Sequence, residues 1–144
     1  MDDVLINKAA IIERSLKRLD ALYTGHENEL ETNLDRQDAI LLNLQRACEA
    51  AIDAAMHLVR RNRLGVPQQS REAFVMLQKE NLIDWELSER MQAMVGFRNI
   101  AVHDYQQLSI PIVQSILENR LVDFRKMVMV LLELARPQDG DASL

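Results

Sequence analysis

The chain has 144 residues, a formal net charge of −5 at pH 7, and 27% charged against 48% hydrophobic residues. That length predicts one domain with a sizeable core, and the composition excludes an intrinsically disordered chain. The negative charge excludes non-specific nucleic-acid binding over the whole surface, although it leaves a local basic site open. No apolar run approaches the roughly 18 residues that cross a bilayer, and the N-terminal residues lack a signal-peptide pattern. We therefore expect a cytoplasmic protein without a membrane segment.

The first half of the chain predicts two long helices. Only four Gly and three Pro interrupt the sequence, and they are widely spaced, which favours long helices joined by short loops. The first helix is expected from about Asp3 to Tyr23 and the second from about Asp35 to Arg63. Their apolar residues recur at steps of three and four and predict the core stripes Leu5, Ala9, Ile12, Leu16, Leu19 and Tyr23, then Leu41, Leu44, Cys48, Ala51, Ala55 and Leu58.

Three more helices are predicted in the second half. A short third helix should follow Ser70 as its N-cap, and Asp84 should cap a fourth helix that ends near His103. Pro111 fits the first turn of a fifth helix that runs to about Arg136. We predict an all-α fold, an antiparallel bundle of four long helices plus one short helix. It should form a single domain over residues 1–136, followed by a flexible tail over residues 137–144.

The segment from Arg98 to Tyr105 is the most informative part of the chain. It sets a guanidinium, the amide of Asn99, the imidazole of His103 and a phenol within eight residues near the end of the fourth helix. Arginine binds two phosphate oxygens through parallel hydrogen bonds, and histidine exchanges a proton near neutral pH. Together these groups suit cleavage of RNA in which the ribose 2′-hydroxyl attacks the adjacent phosphate, with no metal required.

The arrangement of this segment makes two further predictions. At 100° per residue, three apolar residues fall on the side opposite Arg98, namely Ala93, Phe97 and Ile100. We expect that side to face the bundle and the polar groups of the motif to share the outer face. One imidazole cannot easily serve as both base and acid in one turnover, so we predict a composite site between two copies of the chain in a homodimer.

A simpler explanation of the motif is chance. An Arg-x4-His spacing on its own is a weak signal, and a histidine at a helix C-terminus is a common capping device. The added His-x-Tyr, in a chain with only two Tyr, makes coincidence a poor explanation.

This Arg98-x4-His103-x-Tyr105 motif on the fourth helix of a small α-bundle resembles the HepT group of HEPN-superfamily ribonuclease toxins. The resemblance covers nearly the whole chain in length and helix order. It implies a homodimeric, metal-independent endoribonuclease that acts in the prokaryotic cytoplasm, as the toxin of a type VII-like toxin–antitoxin system. The implied partner is an MntA-type antitoxin, a minimal nucleotidyltransferase that transfers AMP from ATP to Tyr105. Arg98 and His103 would be catalytic, with Asn99 in support.

Other residues give weaker signals. Arg60, Arg61 and Arg63 form a basic cluster that suits RNA contact and stabilisation of a helix C-terminus equally well. Cys48 is expected to be a small buried thiol. The sequence offers no spacing for a metal site and no phosphate-binding glycine loop, so we expect no cofactor. A second hypothesis is a non-catalytic HEPN-type module that binds a nucleotidyltransferase or its substrate; such a module has no need of both Arg98 and His103.

Overall fold

The computed structural model describes residues 1–137. This part of the chain forms six α-helices: α1 (Asp3–Tyr23), α2 (Leu34–Arg61), α3 (Ser70–Lys79), α4 (Trp85–His103), α5 (Ile110–Asn119) and α6 (Leu121–Ala135). Two short 3-10 helices, Glu27–Glu29 and Tyr105–Gln107, lie in the connections. No strand occurs within residues 1–137, and the predicted all-α class is confirmed. The predicted flexible tail lies outside the described residues from residue 138 onward.

The helices α1 and α2 form the longest helix pair and pack against each other as well as against α6. Every residue of the two predicted core stripes is buried. Along α2, five alanines are buried in the same ridge and allow neighbouring helices to approach closely: Ala47, Ala50, Ala51, Ala54 and Ala55. In α1 and α2, the residues that the sequence periodicity predicted to form the core are therefore buried.

A polar cluster around Asp2 ties two helix ends together. The Asp2 carboxylate caps α1 by accepting hydrogen bonds from the backbone N–H groups of Val4 and Leu5. Its Oδ2 also lies 2.8 Å from Nε2 of His57 and accepts a hydrogen bond from Arg61 at 3.0 Å. Burial opposes ionisation of Asp2, but the hydrogen bonds from His57, Leu5 and Arg61 outweigh it and lower its pKa. The cluster fixes the start of α1 against the end of α2.

The predicted fifth helix is in fact two helices that meet at Arg120. The backbone of Arg120 leaves the regular helical path (φ −118°, ψ −3°), and its N–H closes α5 on the carbonyl of Ile116 at 2.9 Å. A straight helix over residues 110–135 would extend about 39 Å, whereas the bend lets both halves pack on the bundle. Neither Gly nor Pro marks the break, so apolar periodicity alone could not locate it.

Candidate active site

The motif segment spans the last two turns of α4 and the turn that follows. The predicted N-cap of α4 is confirmed, because Oδ1 of Asp84 accepts a hydrogen bond from the backbone N–H of Leu87 at 2.7 Å. At the other end, His103 is the last helical residue and Asp104 has a non-helical backbone (φ −146°, ψ 54°). Tyr105 then begins the second short 3-10 helix.

Arg98 points into the bundle, contrary to the prediction that it lies on the outer face. Its side chain is only 16% exposed and shares its side of α4 with the buried Met91 and Val95. Of the three residues that were expected to face the bundle, Phe97 is buried, but Ala93 and Ile100 are exposed. The assignment failed because apolar residues occur all around α4, so periodicity does not select one face. Packing against α2, α3 and α6 decides the orientation.

The guanidinium of Arg98 is held between three helices. Its Nη1 lies 3.3 Å from the Glu49 carboxylate on α2, and its Nη2 donates a hydrogen bond to Oγ of Ser70 on α3 at 3.3 Å. Nε is buried and meets no hydrogen-bond acceptor within residues 1–137. Ser70 was predicted to be the N-cap of α3; Gln69 occupies that position, and the Ser70 hydroxyl binds Arg98 instead.

Asn99 and His103 lie on the outer face of α4, as predicted. Both are exposed, and neither side chain forms a hydrogen bond within the described part of the chain. The imidazole of His103 can therefore turn at the end of the helix to meet a ligand and exchange a proton with it.

Arg71 is a second arginine at this site, and the sequence analysis missed it. Its guanidinium lies directly over Gly96 of α4, so that a Cβ at position 96 would approach Arg71 Nη2 to 2.5 Å. Gly96 and His103 are seven residues apart, which sets them about 20° apart around the helix and about 10 Å apart along it. Arg71 is exposed, and it therefore adds a positive charge to the face that carries His103. It belongs to a different helix, and no sequence spacing connects α3 to α4 in this way.

Tyr105 contacts α2 through Asp38, which the sequence analysis missed, as it missed Glu49 beside Arg98. The Tyr105 hydroxyl donates a hydrogen bond to Oδ1 of Asp38 at 2.9 Å, and the residue Tyr105 remains 50% exposed. This hydrogen bond, together with burial and the negative charge of Asp38, raises the pKa of Tyr105. The phenol is thus protonated, accessible and paired with a carboxylate.

The basic cluster on α2 lies away from the motif. At 1.5 Å per residue, Arg60 is about 33 Å along the helix from Asp38, the partner of Tyr105. Arg61 is also engaged, because it donates hydrogen bonds to Asp2 and to the carbonyl of Leu134. Arg63 follows the end of α2 in the left-handed region, with φ 55°. The structure does not bring this cluster together with Arg98 and His103, and RNA contact there stays a prediction.

An apolar cavity of about 360 Å³ lies between α4 and α5, beside the motif. It is lined by Phe97, Ile100, Ile112 and Ile116, and also by Arg120 and the buried Asp123. Ile100 is 42% exposed and Ile112 is 54% exposed. The outer side of α4 therefore presents apolar surface next to the exposed groups of the motif.

Three further observations concern the Cys48 thiol, metal binding and membrane-spanning helices. Burial, reinforced by the charge of Glu49, raises the pKa of the Cys48 thiol to about 12, in line with the expected buried thiol. Within residues 1–137, no three His, Cys, Asp or Glu side chains cluster in a way that could hold a metal ion. In the same range, no helix has the length and hydrophobicity needed to cross a membrane.

Comparison with known proteins identifies the class of ribonuclease to which the chain belongs. The sequence matches the family described as ribonuclease HepT-like over residues 12–131. It is 45% identical over 131 residues to an mRNA nuclease HepT of Shewanella oneidensis, covering 91% of this chain and 98% of that protein. The chain therefore belongs to the HepT-like ribonuclease family, which confirms the predicted resemblance and the predicted ribonuclease class.

Solved structures give the same result. A tri-AMPylated Shewanella oneidensis HEPN toxin in complex with an MNT antitoxin superposes with a TM-score of 0.87 at 44% identity, covering 92% of this chain and 99% of that one. A toxin–antitoxin structure with AMP-PNP gives a TM-score of 0.86, also at 44% identity, over 91% of this chain and 99% of the other.

Proposed function

We propose that this protein is a metal-independent endoribonuclease, the toxin of a toxin–antitoxin pair, with Arg98 and His103 as its catalytic residues. The observation that carries the proposal is the presence, within two turns of α4, of a guanidinium fixed by Glu49 and Ser70 and of an exposed imidazole that forms no hydrogen bond within residues 1–137. The proposed RNA substrate is cytoplasmic, and we propose the same compartment for the toxin.

The chemistry follows from the two groups. His103 takes the proton of a ribose 2′-hydroxyl as its oxygen forms a bond to the adjacent phosphorus. Arg98 binds the phosphate oxygens, on which negative charge accumulates as the bond to the 5′-oxygen breaks. Nη1 and Nη2 retain N–H donors beyond those directed at Glu49 and Ser70, and Asn99 is exposed one residue away to orient the phosphate or His103. The products are a 2′,3′-cyclic phosphate and a free 5′-hydroxyl.

A second copy of the chain would supply the acid for the leaving 5′-oxygen. In a homodimer whose α4 helices face each other, one His103 serves as the base and the partner copy supplies the other imidazole. The exposed apolar side chains of Ala93, Ile100 and Ile112 support this arrangement, because dimerisation would remove them from water beside the motif.

The proposed regulation is AMP transfer to Tyr105 by a minimal nucleotidyltransferase antitoxin. Tyr105 lies two residues beyond His103 and half of it is exposed, so a partner enzyme can reach its hydroxyl. An attached AMP adds bulk and negative charge where the RNA backbone must approach, and like charges repel.

The proposal is tested on purified, unmodified protein and on one variant. The unmodified protein should have a mass in solution of twice 16.6 kDa. We expect it to cleave an mRNA transcript in excess EDTA and to leave 2′,3′-cyclic phosphate ends. Treatment with the antitoxin and ATP should add AMP to Tyr105 and stop cleavage, whereas Tyr105→Phe should take no AMP. Intact RNA in both EDTA and Mg²⁺ would instead favour the non-catalytic module.

Arg71 is expected to contribute to RNA binding and not to the bond-breaking step. Replacing it with alanine should weaken binding and reduce the slope of log K against log salt concentration by about one, because one phosphate contact is lost. The measurement uses 2′-O-methylated RNA, which lacks the attacking hydroxyl, titrated at several salt concentrations. Arg14→Ala on α1 is the matched control and should leave the slope unchanged. An unaltered slope for Arg71→Ala would exclude the contact.

A further inference from the structure

We propose that Asp38 of the toxin itself is the general base for AMP transfer to Tyr105. This inference rests on the proposed modification of Tyr105. It assigns a chemical step of that reaction to a residue of this chain, on a different helix from the motif.

The geometry is that of a base and its nucleophile. The Tyr105 hydroxyl donates its only proton to Oδ1 of Asp38 at 2.9 Å, within the range of a direct proton transfer. Asp38 is exposed on α2, in the first part of the helix, so the pair lies at the surface where a partner enzyme and its nucleotide can approach. Because the hydroxyl donates and does not accept in this hydrogen bond, a lone pair of the phenol oxygen remains free to attack.

The phenol of Tyr105 is a weak acid, so AMP transfer needs a base that accepts its proton. Asp38 raises the pKa of Tyr105 above its ordinary value of 10.0, so fewer than about one molecule in a thousand carries a tyrosinate at pH 7. A protonated phenol is a weak nucleophile, and its proton must leave as the new bond forms. The carboxylate that stabilises the hydroxyl in the resting state is also the acceptor already in place.

The step balances with ATP as the co-reactant. The Tyr105 oxygen forms a bond to the α-phosphorus of ATP, and the bond from that phosphorus to the bridging oxygen breaks. Pyrophosphate leaves with the electron pair, and the phenolic proton passes to Asp38. The product is a tyrosine–AMP phosphodiester next to a neutral carboxyl group, which then returns its proton to water.

Asp38→Asn separates this chemical role from a structural one. Asparagine has nearly the same shape and its carbonyl oxygen still accepts a hydrogen bond from Tyr105, but it cannot take the proton. We expect kcat for AMP transfer to fall about 10²-fold with the variant as substrate, with little change in KM. Asp38→Glu restores a carboxylate and should recover at least tenfold of that loss. Asp35→Asn, an exposed aspartate one turn earlier on α2, is the matched control and should be modified at the wild-type rate.

The readout is the rate of AMP incorporation by intact-protein mass spectrometry, with antitoxin and ATP, and with circular dichroism to verify folding. Transfer to Asp38→Asn at the wild-type rate overturns the inference, as does a rate for Asp38→Glu no higher than that of Asp38→Asn. If wild-type protein takes no AMP, the proposed modification fails together with this inference. If wild-type and Asp38→Asn protein are modified equally fast, only this inference fails.

Discussion

Replacing His103 with alanine is expected to lower the rate of RNA cleavage in EDTA by about 10²–10⁴-fold, the usual contribution of a positioned acid or base. The imidazole is exposed, and histidine is the side chain that most often serves as a general acid or base in catalysis. Because His103 ends α4 and forms no side-chain hydrogen bond within residues 1–137, its removal should not disturb the fold.

The measurement is the initial rate of cleavage of a labelled transcript, with the dimer verified by light scattering. His26→Ala is a matched control, since His26 is a second surface histidine that pairs with Glu29 in the α1–α2 connection. It should cleave at the wild-type rate. Full activity of His103→Ala would show that cleavage does not need this imidazole and that another group acts as the base.

Replacing Arg98 with lysine is expected to lower cleavage by about 10²–10³-fold while leaving the fold in place. Lysine keeps the positive charge beside Glu49, but it lacks the planar fork that binds two phosphate oxygens at once. Lysine is preferred to alanine here, because alanine would leave the partly buried Glu49 unpaired and would also open a gap between α2, α3 and α4. The loss should fall mainly on kcat, since the interaction strengthens as charge develops on the phosphate.

Two measurements separate chemistry from stability in this variant. Urea unfolding should give a midpoint close to that of wild-type protein, while single-turnover cleavage should show the rate loss. Arg14→Lys on α1 controls for the change of side chain at a surface site and should retain both properties. Wild-type turnover by Arg98→Lys would show that a point charge suffices and that the two-pronged phosphate contact is not used.

The proposed catalytic and regulatory groups lie on one short segment, but their side chains make different contacts. Arg98 is anchored inward on Glu49 and Ser70, His103 ends the helix in solvent, and Tyr105 reaches back to Asp38 on α2. The antiparallel course of α4 along α2 explains the order, since residues further along α4 meet residues nearer the start of α2. AMP attached at Tyr105 would therefore lie beside His103 without displacing Arg98 from its helix contacts.

The sequence by itself determined the all-α class, the stripes of α1 and α2, the cap at Asp84 and the family to which the chain belongs. These follow from local signals: apolar residues at steps of three and four, capping chemistry, and a motif confined to eight residues. In α1 and α2 one face is clearly apolar and the other clearly polar, so the buried side could be read directly from the spacing.

Only the tertiary structure decided which way α4 faces, where the fifth helix breaks, and which residues complete the site. Apolar residues surround α4, and its buried side is chosen by the helices packed against it, which turned Arg98 inward and left Ile100 exposed. No Gly or Pro marks the break at Arg120 in the sequence. Four residues on α2 and α3 complete the site around the motif: Asp38, Glu49, Ser70 and Arg71. Contacts between residues so far apart in the chain produce no periodic pattern in the sequence.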